Sequence, residues 1–357
     1  MTTGEWFVVS DLHLNGEPGS RDVDAALPAF LDAVVAGGGS ARRSLVLLGD
    51  TFDLHGPVRQ SRADVAGRLT ALADAHAPIV TALAACVRAG VGLQVVGGNH
   101  DIELTRPATA ALFTALLGLE VGHAGIRFSP WVVHEPGVLY AEHGNQHHEL
   151  NRMPTVLSVR EHDGCRQEIP VPPLGAASRG PEWCPAEGST ALRVARSLHA
   201  ARRHERLARS TWYQALVTRE AAELRLSGRA LAEVAAVSRV GAATALAATA
   251  RRAAERRVGV QRPGTYLAPR AAAIHRILTR HGVAAAAYVF GHNHRAERIE
   301  LPDEPAAAYL NTGTWGADVR GPGPDARDRR LFPYVRITST PAGVDADLHF
   351  WSHGCRR

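Results

Sequence analysis

The chain has 357 residues, 45% of them hydrophobic, and a formal net charge of +5, which suits one large α/β domain with an insertion or two modest domains. All 40 basic residues are arginine, so the basic balance reflects an Ala-, Arg- and Gly-rich composition and is no sign of a nucleic-acid-binding protein. No leader-like segment opens the sequence, no apolar run is long enough for a membrane span, and the four cysteines are scattered. We therefore expect a reduced, cytoplasmic protein.

Five short apolar runs have the length and composition of strands, and each is followed by Asp, Asn or His. In chain order they are 6–10 before Asp11, 45–48 before Asp50, 93–96 before Asn99, 138–141 before His143, and 287–290 before His292. Helical patterns at 23–36 and 62–88, the second with a break near Pro78, separate the first three runs. Alternating strands and helices favour a sheet with parallel strands, whose carboxyl ends open on one crevice. We therefore expect the five polar residues to converge.

The remaining segments predict a second group of strands and an insertion. Runs 309–312, 334–337 and 346–350 have strand character with no helix between them, so antiparallel pairing at that edge of the sheet is expected. Residues 170–185 are rich in Pro and Gly and predict a loop, and 189–257 predict two or three helices. The predicted organisation is a core of residues 1–150 and 270–357, interrupted by a helical cap at 151–269.

The polar residues at the strand ends, with two neighbouring histidines, form a candidate metal-ligand set of oxygen and imidazole donors: Asp11, His13, Asp50, Asn99, His143, His292 and His294. Such a set suits Mn, Fe, Zn or Ni better than Ca or Mg, and we expect Mn first. Seven ligands are too many for one tetrahedral ion but enough for two, if one carboxylate bridges them. Two ions ~3.5–4 Å apart clamp a phosphoryl group and hold a hydroxide that attacks it at neutral pH.

Neighbouring residues have candidate supporting roles. His100, beside Asn99, is the candidate proton donor to the leaving group, and Asp101 is the candidate residue that orients its ring. Asp53 has two interpretations: it supports a ligand histidine, or it caps the helix that follows. For His147 and His148 a solvated helix start is favoured over contact with a substrate.

The segments resemble, in order, the five motifs of the calcineurin-like metallophosphoesterases. The matching segments are Asp11-Leu12-His13, Gly49-Asp50-Thr51-Phe52-Asp53, Gly98-Asn99-His100-Asp101, His143-Gly144 and Gly291-His292-Asn293-His294. The resemblance covers residues 5–150 and 280–320, and it implies a four-layer α/β/β/α sandwich. It also implies one metal held by Asp11, His13, Asp50 and His294, and another held by Asp50, Asn99, His143 and His292. Asp50 would bridge the two, and His100 would contact the phosphate and donate the proton.

The predicted function is a two-metal phosphoesterase that hydrolyses a phosphomonoester, phosphodiester or diphosphate in a small molecule, nucleotide or lipid. One alternative is a lipid-linked diphosphate hydrolase similar to bacterial UDP-2,3-diacylglucosamine hydrolase, which usually has Arg at the position of His100. Another is a DNA exonuclease, which the mild net charge disfavours. A scaffold that has lost its metals is disfavoured by the complete ligand set. The apolar run 234–250 allows peripheral membrane contact, but a cap whose alanines pack on the core is favoured.

Overall fold

The computed structural model describes residues 3–15, 21–37, 41–54, 65–148, 151–152, 156, 211–238, 266–316 and 331–352. The strands are β1 (Gly4–Val9), β2 (Arg42–Leu48), β3 (Gly92–Val96), β4 (Ile126–Ser129), β5 (Val132–Glu135), β6 (Leu139–Glu142), β7 (Ala287–Phe290), β8 (Ala296–Glu300), β9 (Ala308–Thr312), β10 (Leu331–Thr340) and β11 (Gly343–Ser352). The α-helices are α1 (Arg21–Ala36), α2 (Val65–Ala75), α3 (Ala77–Arg88), α4 (Pro107–Leu116), α5 (Thr211–Glu223), α6 (Gly228–Val237) and α7 (Leu267–Arg280). Short 3-10 helices span Ile102–Thr105 and Asn145–His147.

The strands form two mixed sheets. The six-stranded sheet has the order β11-β10-β1-β2-β3-β4, in which β1 to β4 are parallel and β10 and β11 are antiparallel. The five-stranded sheet has the order β5-β6-β7-β9-β8, in which β6, β7 and β9 are parallel. The predicted α/β class is therefore confirmed.

Three clusters of buried hydrophobic residues hold the sheets and helices together. The first joins α1, α2, α3 and α4 to one face of the six-stranded sheet, for example through Phe30 and Leu45. The second joins α5, α6 and α7 to one face of the five-stranded sheet, for example through Leu231 and Tyr288. The third is built almost wholly from strand residues of both sheets, such as Val46. Because residues on opposite faces of a strand alternate, the strands of each sheet contribute side chains to two of these clusters.

The predicted strands and helices agree with the structure in most places. The five runs that end in polar residues form β1, β2, β3, β6 and β7. The predicted break near Pro78 is real: α2 and α3 meet at 91°, and Pro78 lies in the first turn of α3, where a missing backbone N–H costs nothing.

The expected pairing of the last three strands is wrong in one respect. Strands β10 and β11 are antiparallel neighbours, but β9 lies in the other sheet between β7 and β8. All five residues of β9 are buried, whereas exposure partly alternates along the edge strand β11. A strand with two buried faces needs cover on both sides, so β9 occupies an interior position.

The described part of the predicted insertion lies against the five-stranded sheet. Val217 on α5 and Leu231 on α6 are buried in the second cluster, and so are Val234 and Ala235 at the start of the apolar run. The predicted loop at 170–185, the rest of the helical segment 189–257 and the apolar run beyond residue 238 lie outside the described residues. Among the described residues no single helix has both the length and the apolar character needed to cross a membrane, and only the sharply bent pair α2 and α3 meets those criteria jointly.

Candidate metal centre

The polar residues predicted at the strand ends lie together at one edge of the two sheets. Asp11, Asp50 and Asn99 follow the adjacent strands β1, β2 and β3, and His143 and His292 follow the adjacent strands β6 and β7. Backbone hydrogen bonds continue past the strand ends, from Asp11 N to Gly49 O at 3.1 Å and from Gly291 N to His143 O at 3.0 Å. The ligand residues are therefore held by extended sheet pairing and not by free loops.

The backbone is left-handed at most of the ligand positions. Among the described residues, six non-glycine residues have positive φ, and five of them are predicted ligands: Asp11 (52°), His13 (48°), Asp50 (50°), His292 (69°) and His294 (58°). Asp and His are among the residue types that tolerate this region best. Such conformations persist where the surrounding structure enforces them, and they cluster at functional sites.

Glycines allow the strand ends to approach one another closely. A Cβ atom on Gly98 would lie 2.2 Å from Oδ1 of Asp50, and one on Gly291 would lie 2.6 Å from Oδ2 of Asp11. No side chain fits at either position without displacing a carboxylate. Close packing therefore explains why glycine directly precedes Asn99 and His292.

The first ligand group contains Asp11, His13 and His294, whose donor atoms all lie within 4.8 Å of one another. His294 Nε2 is 3.2 Å from Asp11 Oδ1 and 3.1 Å from His13 Nε2. Asp50 adjoins this group, with its Oδ2 4.0 Å from His13 Nε2. The group is open to solvent on one side, because the His294 side chain is 48% exposed.

The second ligand group contains Asp50, His143 and His292, again with donor atoms within 4.8 Å of one another. His143 Nε2 is 3.2 Å from Asp50 Oδ2, and its Nδ1 donates to Leu48 O at 2.8 Å, which leaves Nε2 as the donor atom toward a metal. Asn99 is buried and follows β3, the strand adjacent to β2, which Asp50 follows. Asp50 Oδ2 faces both groups, as a bridging carboxylate would.

The lack of hydrogen bonds to several donor atoms is a further reason to expect divalent ions at this site. Asp11 Oδ1, Asn99 Oδ1 and His143 Nε2 are buried and make no hydrogen bond. Buried polar atoms are nearly always satisfied, so unsatisfied atoms that belong to one cluster indicate a missing partner. A cation is the partner that carboxylate, amide and imidazole donors share.

The electrostatics of the cluster also favour a cation. Burial alone would raise the pKa of Asp50, but the His143 and His100 charges hold it well below its usual range. Burial would lower the pKa of His13 and His143, yet the neighbouring carboxylates raise it to about 9 for His13 and about 10 for His143. In the metal-free protein these imidazoles therefore carry protons that balance the buried carboxylates. A metal ion would replace that positive charge.

The carboxylate that orients His100 is Asp53, which corrects the role predicted for Asp101. Asp53 Oδ1 is 2.9 Å from Nδ1 of His100 and 2.9 Å from Nδ1 of His13. These contacts support the first of the two interpretations of Asp53, and hydrogen bonds from both rings outweigh burial and lower its pKa. Asp101 instead accepts four backbone N–H groups, from Gly98 and from residues 50–52. Burial and the Asp50 charge raise the pKa of Asp101 to about 6.

Several supporting residues carried no signal in the sequence. Ser10 Oγ contacts Asp11 Oδ2 and lies 2.5 Å from Thr312 Oγ1, so the end of β9 supports the first carboxylate. Glu142 is fully buried and binds His147 Nε2 at 2.5 Å and Trp131 Nε1 at 2.5 Å. The favoured interpretation of His147 as a solvated residue is therefore wrong.

His148 lies close to the second ligand group. Its ring centroid is 5.3 Å from that of His292 and 6.2 Å from that of Tyr266. The turn that follows His143 therefore belongs to the site.

Comparison with known proteins adds no name to this site. No model of a known protein family matches the chain, and no curated protein matches it either.

Proposed function

We propose that this chain is a metal-dependent phosphoesterase of the calcineurin-like kind, which hydrolyses a phosphoric ester or diphosphate at a pair of divalent ions. The observation that carries the proposal is the position of Asp50 Oδ2 between two ligand groups, 3.2 Å from His143 Nε2 and 4.0 Å from His13 Nε2. Two ions that share one carboxylate are the arrangement that phosphoryl transfer uses.

The packing of the molecule supports the fold that this proposal requires. Helices α1 to α4 cover the six-stranded sheet, the two sheets face each other, and α5 to α7 cover the five-stranded sheet. This order of layers supports the α/β/β/α sandwich that the resemblance implies. The ligand groups lie at the edge where the parallel strands of both sheets end, the usual place for a site in such sheets.

The donor types favour Mn, with Fe, Zn or Ni as alternatives, because nitrogen and oxygen donors are mixed and no thiolate takes part. When bound, two such ions would polarise the phosphoryl oxygens and lower the pKa of a coordinated water toward neutrality. The chain contributes carboxylates that keep their charge at neutral pH, since the pKa values of Asp11 and Asp50 are both held low despite burial. It also contributes His292, whose pKa burial lowers well below its usual value, so that its ring stays neutral and free to bind a cation.

His100 is the residue placed to move a proton. Its Nδ1 contacts Asp53 Oδ1 at 2.9 Å, which directs Nε2 toward the ligand groups, 4.0 Å from Asp50 Oδ2. The Asp53 carboxylate fixes the orientation of the ring. From this position Nε2 can contact a phosphate and protonate the leaving oxygen. The substrate class is a phosphorylated small molecule, nucleotide or lipid, and nucleic acid is disfavoured by the mild net charge of +5.

The test is hydrolysis of p-nitrophenyl phosphate, bis-p-nitrophenyl phosphate and a nucleoside diphosphate diester by Mn-reconstituted protein, with metal content measured by elemental analysis. We expect two Mn ions per chain and turnover of at least one ester, reduced at least about 10²-fold in Asp50→Asn. Asp24→Asn is the matched control, because it removes a carboxylate that pairs with His76 at 2.7 Å outside the site. Failure of the reconstituted wild type to bind metal, or of all three esters to react, would overturn the proposal.

A further inference from the structure

Asn151 lies beside the second ligand group, on the turn that follows His143. Its side-chain Nδ2 atom is 3.4 Å from Nε2 of His292. Asn151 is half-buried, and it was not among the residues predicted as ligands. The Asn151 amide thus contacts His292, a predicted ligand of the second metal.

The separation of these two atoms is that of two ligands on one ion. Donor atoms that each lie ~2.1 Å from an ion are about 3.0–3.4 Å apart at bond angles between octahedral and tetrahedral values. One pair in each ligand group has this spacing: His143 Nε2 and Asp50 Oδ2 are 3.2 Å apart, and His294 Nε2 and Asp11 Oδ1 are 3.2 Å apart. His13 Nε2 and Asp11 Oδ1 are further apart, at 3.8 Å. The distance of 3.4 Å between Asn151 Nδ2 and His292 Nε2 also lies in the range expected for two ligands of one ion.

A hydrogen bond explains the contact less well. At 3.4 Å it is long for an N–H donor, and it would use the lone pair of Nε2, one of the two ring nitrogens through which His292 could bind a metal. A half-turn of the amide exchanges Nδ2 for Oδ1 at nearly the same position. The oxygen then faces the site as a neutral donor, the type that Asn99 also offers.

The backbone around Asn151 is fixed from two directions. Asn145 Nδ2 donates to Asn151 O at 3.2 Å, and Asn151 N donates to His148 O at 3.2 Å. The next residue, Arg152, donates through Nη1 to Ser238 O at 2.6 Å, directly after helix α6. The end of α6 is thereby tied to the residue adjacent to Asn151.

We propose that Asn151 is a further ligand of the second metal ion, alongside Asp50, Asn99, His143 and His292, and that the contact between Arg152 and the end of α6 positions it. The inference rests on the proposed function in one respect, since it takes the second ligand group as a metal site. Five protein donors exceed the four of a tetrahedral Zn site and suit an ion that takes six, such as Mn. The site would therefore favour Mn over Zn at the second position, and the insertion would influence metal binding.

The test is a Mn titration of metal-free wild type, Asn151→Ala and Asn151→Asp, followed by calorimetry and by the electron paramagnetic resonance signal of free Mn. We expect two sites in the wild type. In Asn151→Ala one site should weaken by about 10–100-fold while the other keeps its affinity. In Asn151→Asp, where an anionic oxygen stands at the same position, that site should tighten by about tenfold, because ligand charge sets the affinity of such sites.

The outcomes separate this proposal from the proposed function. Wild-type affinity at both sites in both variants overturns the assignment of Asn151, whatever the turnover. Two bound ions without turnover of any ester in the wild type overturn the phosphoesterase alone, and the titration still decides the role of Asn151. Thermal unfolding of the metal-free protein shows whether the alanine variant folds. If it does not, the Asn151→Asp variant decides alone, and an unchanged Mn affinity at both of its sites refutes the proposal.

Discussion

Asp50 accepts the backbone N–H of His100 on its Oδ1 atom at 2.8 Å, and this bond fixes which of its two oxygens faces the histidines. Oδ2 is left 3.2 Å from His143 Nε2 and 4.0 Å from His13 Nε2. One oxygen atom thus serves both ligand groups. Residue 98 is a glycine, which leaves room for Asp50 Oδ1, because a Cβ atom there would lie 2.2 Å from it.

Replacing that glycine should disrupt both ligand groups. In Gly98→Ala the new Cβ would lie 2.2 Å from Asp50 Oδ1 and 2.4 Å from Asp50 N, so the carboxylate must move. Overpacking of this kind costs about 1–3 kcal/mol, so the melting temperature should fall together with the metal content. Elemental analysis after Mn reconstitution and thermal unfolding measure the two effects.

The matched control is Gly92→Ala at the start of the same strand. Its Cβ would meet Ser44 Oγ at 3.5 Å, an ordinary contact, so we expect normal metal content. Full metal content in Gly98→Ala would contradict the role assigned to the close approach.

The residues at the strand ends of the site were predictable from the sequence because two independent patterns coincide there: an apolar run of strand length and a metal-donor residue shortly after it. Each apolar run is long enough for one buried strand, and each is followed within three residues by a donor such as Asp50 or Asn99. Parallel pairing then brings the donors together, since the carboxyl ends of such strands share one edge. Local sequence was sufficient because each donor belongs to the strand that places it.

The supporting residues were not predictable in this way. Asp101 follows His100 in the chain, which suggested a contact, but its carboxylate turns back onto the N–H groups after β2. Asp53 reaches His100 across 47 residues of chain, through the packing of two loops. Asn151 follows the short 3-10 helix after β6, and its neighbour Arg152 contacts Ser238 at the end of α6. Contacts between loops are set by tertiary packing, which no local pattern encodes.

Asp53→Asn should impair the chemistry of the site with little effect on stability. The amide keeps an oxygen acceptor but loses the charge that holds the His13 and His100 rings, each 2.9 Å away. Removing such support costs about 10–100-fold in metal affinity or activity. We expect kcat to fall within that range and the first ligand group to bind Mn more weakly, while the second group is unchanged. Wild-type turnover in this variant would refute the orienting role.

Asp101→Asn should show the opposite pattern, with a large loss of stability. Each carboxylate oxygen of Asp101 accepts two backbone N–H groups, at 2.8 and 3.1 Å on Oδ1 and at 2.7 and 3.3 Å on Oδ2. An amide would turn a donor toward one pair and leave two buried N–H groups unsatisfied, at about 1–3 kcal/mol each. Urea unfolding of the metal-free protein measures this loss, with Asp53→Asn as the comparison. Equal stability of the two variants would contradict the assignment.

The two ions should differ in how fast they exchange. The first group reaches solvent through His294, whose side chain is 48% exposed, whereas the His143 side chain in the second group is 1% exposed. A chelator would therefore reach an ion in the first group more readily than one in the second, whose most accessible member, His292, is half-buried. We expect EDTA to remove one ion per chain quickly and the other slowly, with His294→Ala lacking the fast phase. Release of both ions in one phase would argue against unequal sites.

The buried ring of His134, which belongs to neither ligand group, should make stability depend on pH. Its Nδ1 lies 2.9 Å from Leu224 O and its Nε2 lies 2.9 Å from Val283 O, so it ties β5 to the end of α5 and to the chain after α7. Burial lowers the pKa of His134, and the Arg225 charge adds to this, although the two carbonyls and Glu135 act in the opposite direction.

An unfolded histidine titrates near pH ~6.5, so the unfolded chain takes up a proton before folded His134 does as the pH falls. The stability contributed by the neutral ring is therefore complete above about pH 6.5 and is lost below it. His134→Gln cannot titrate, yet its amide can still donate to a carbonyl. Between about pH 7.5 and 5.5, metal-free wild type should thus lose more unfolding free energy in urea than this variant, because all other titrating groups are common to both. Parallel pH profiles would show that the buried ring is not responsible.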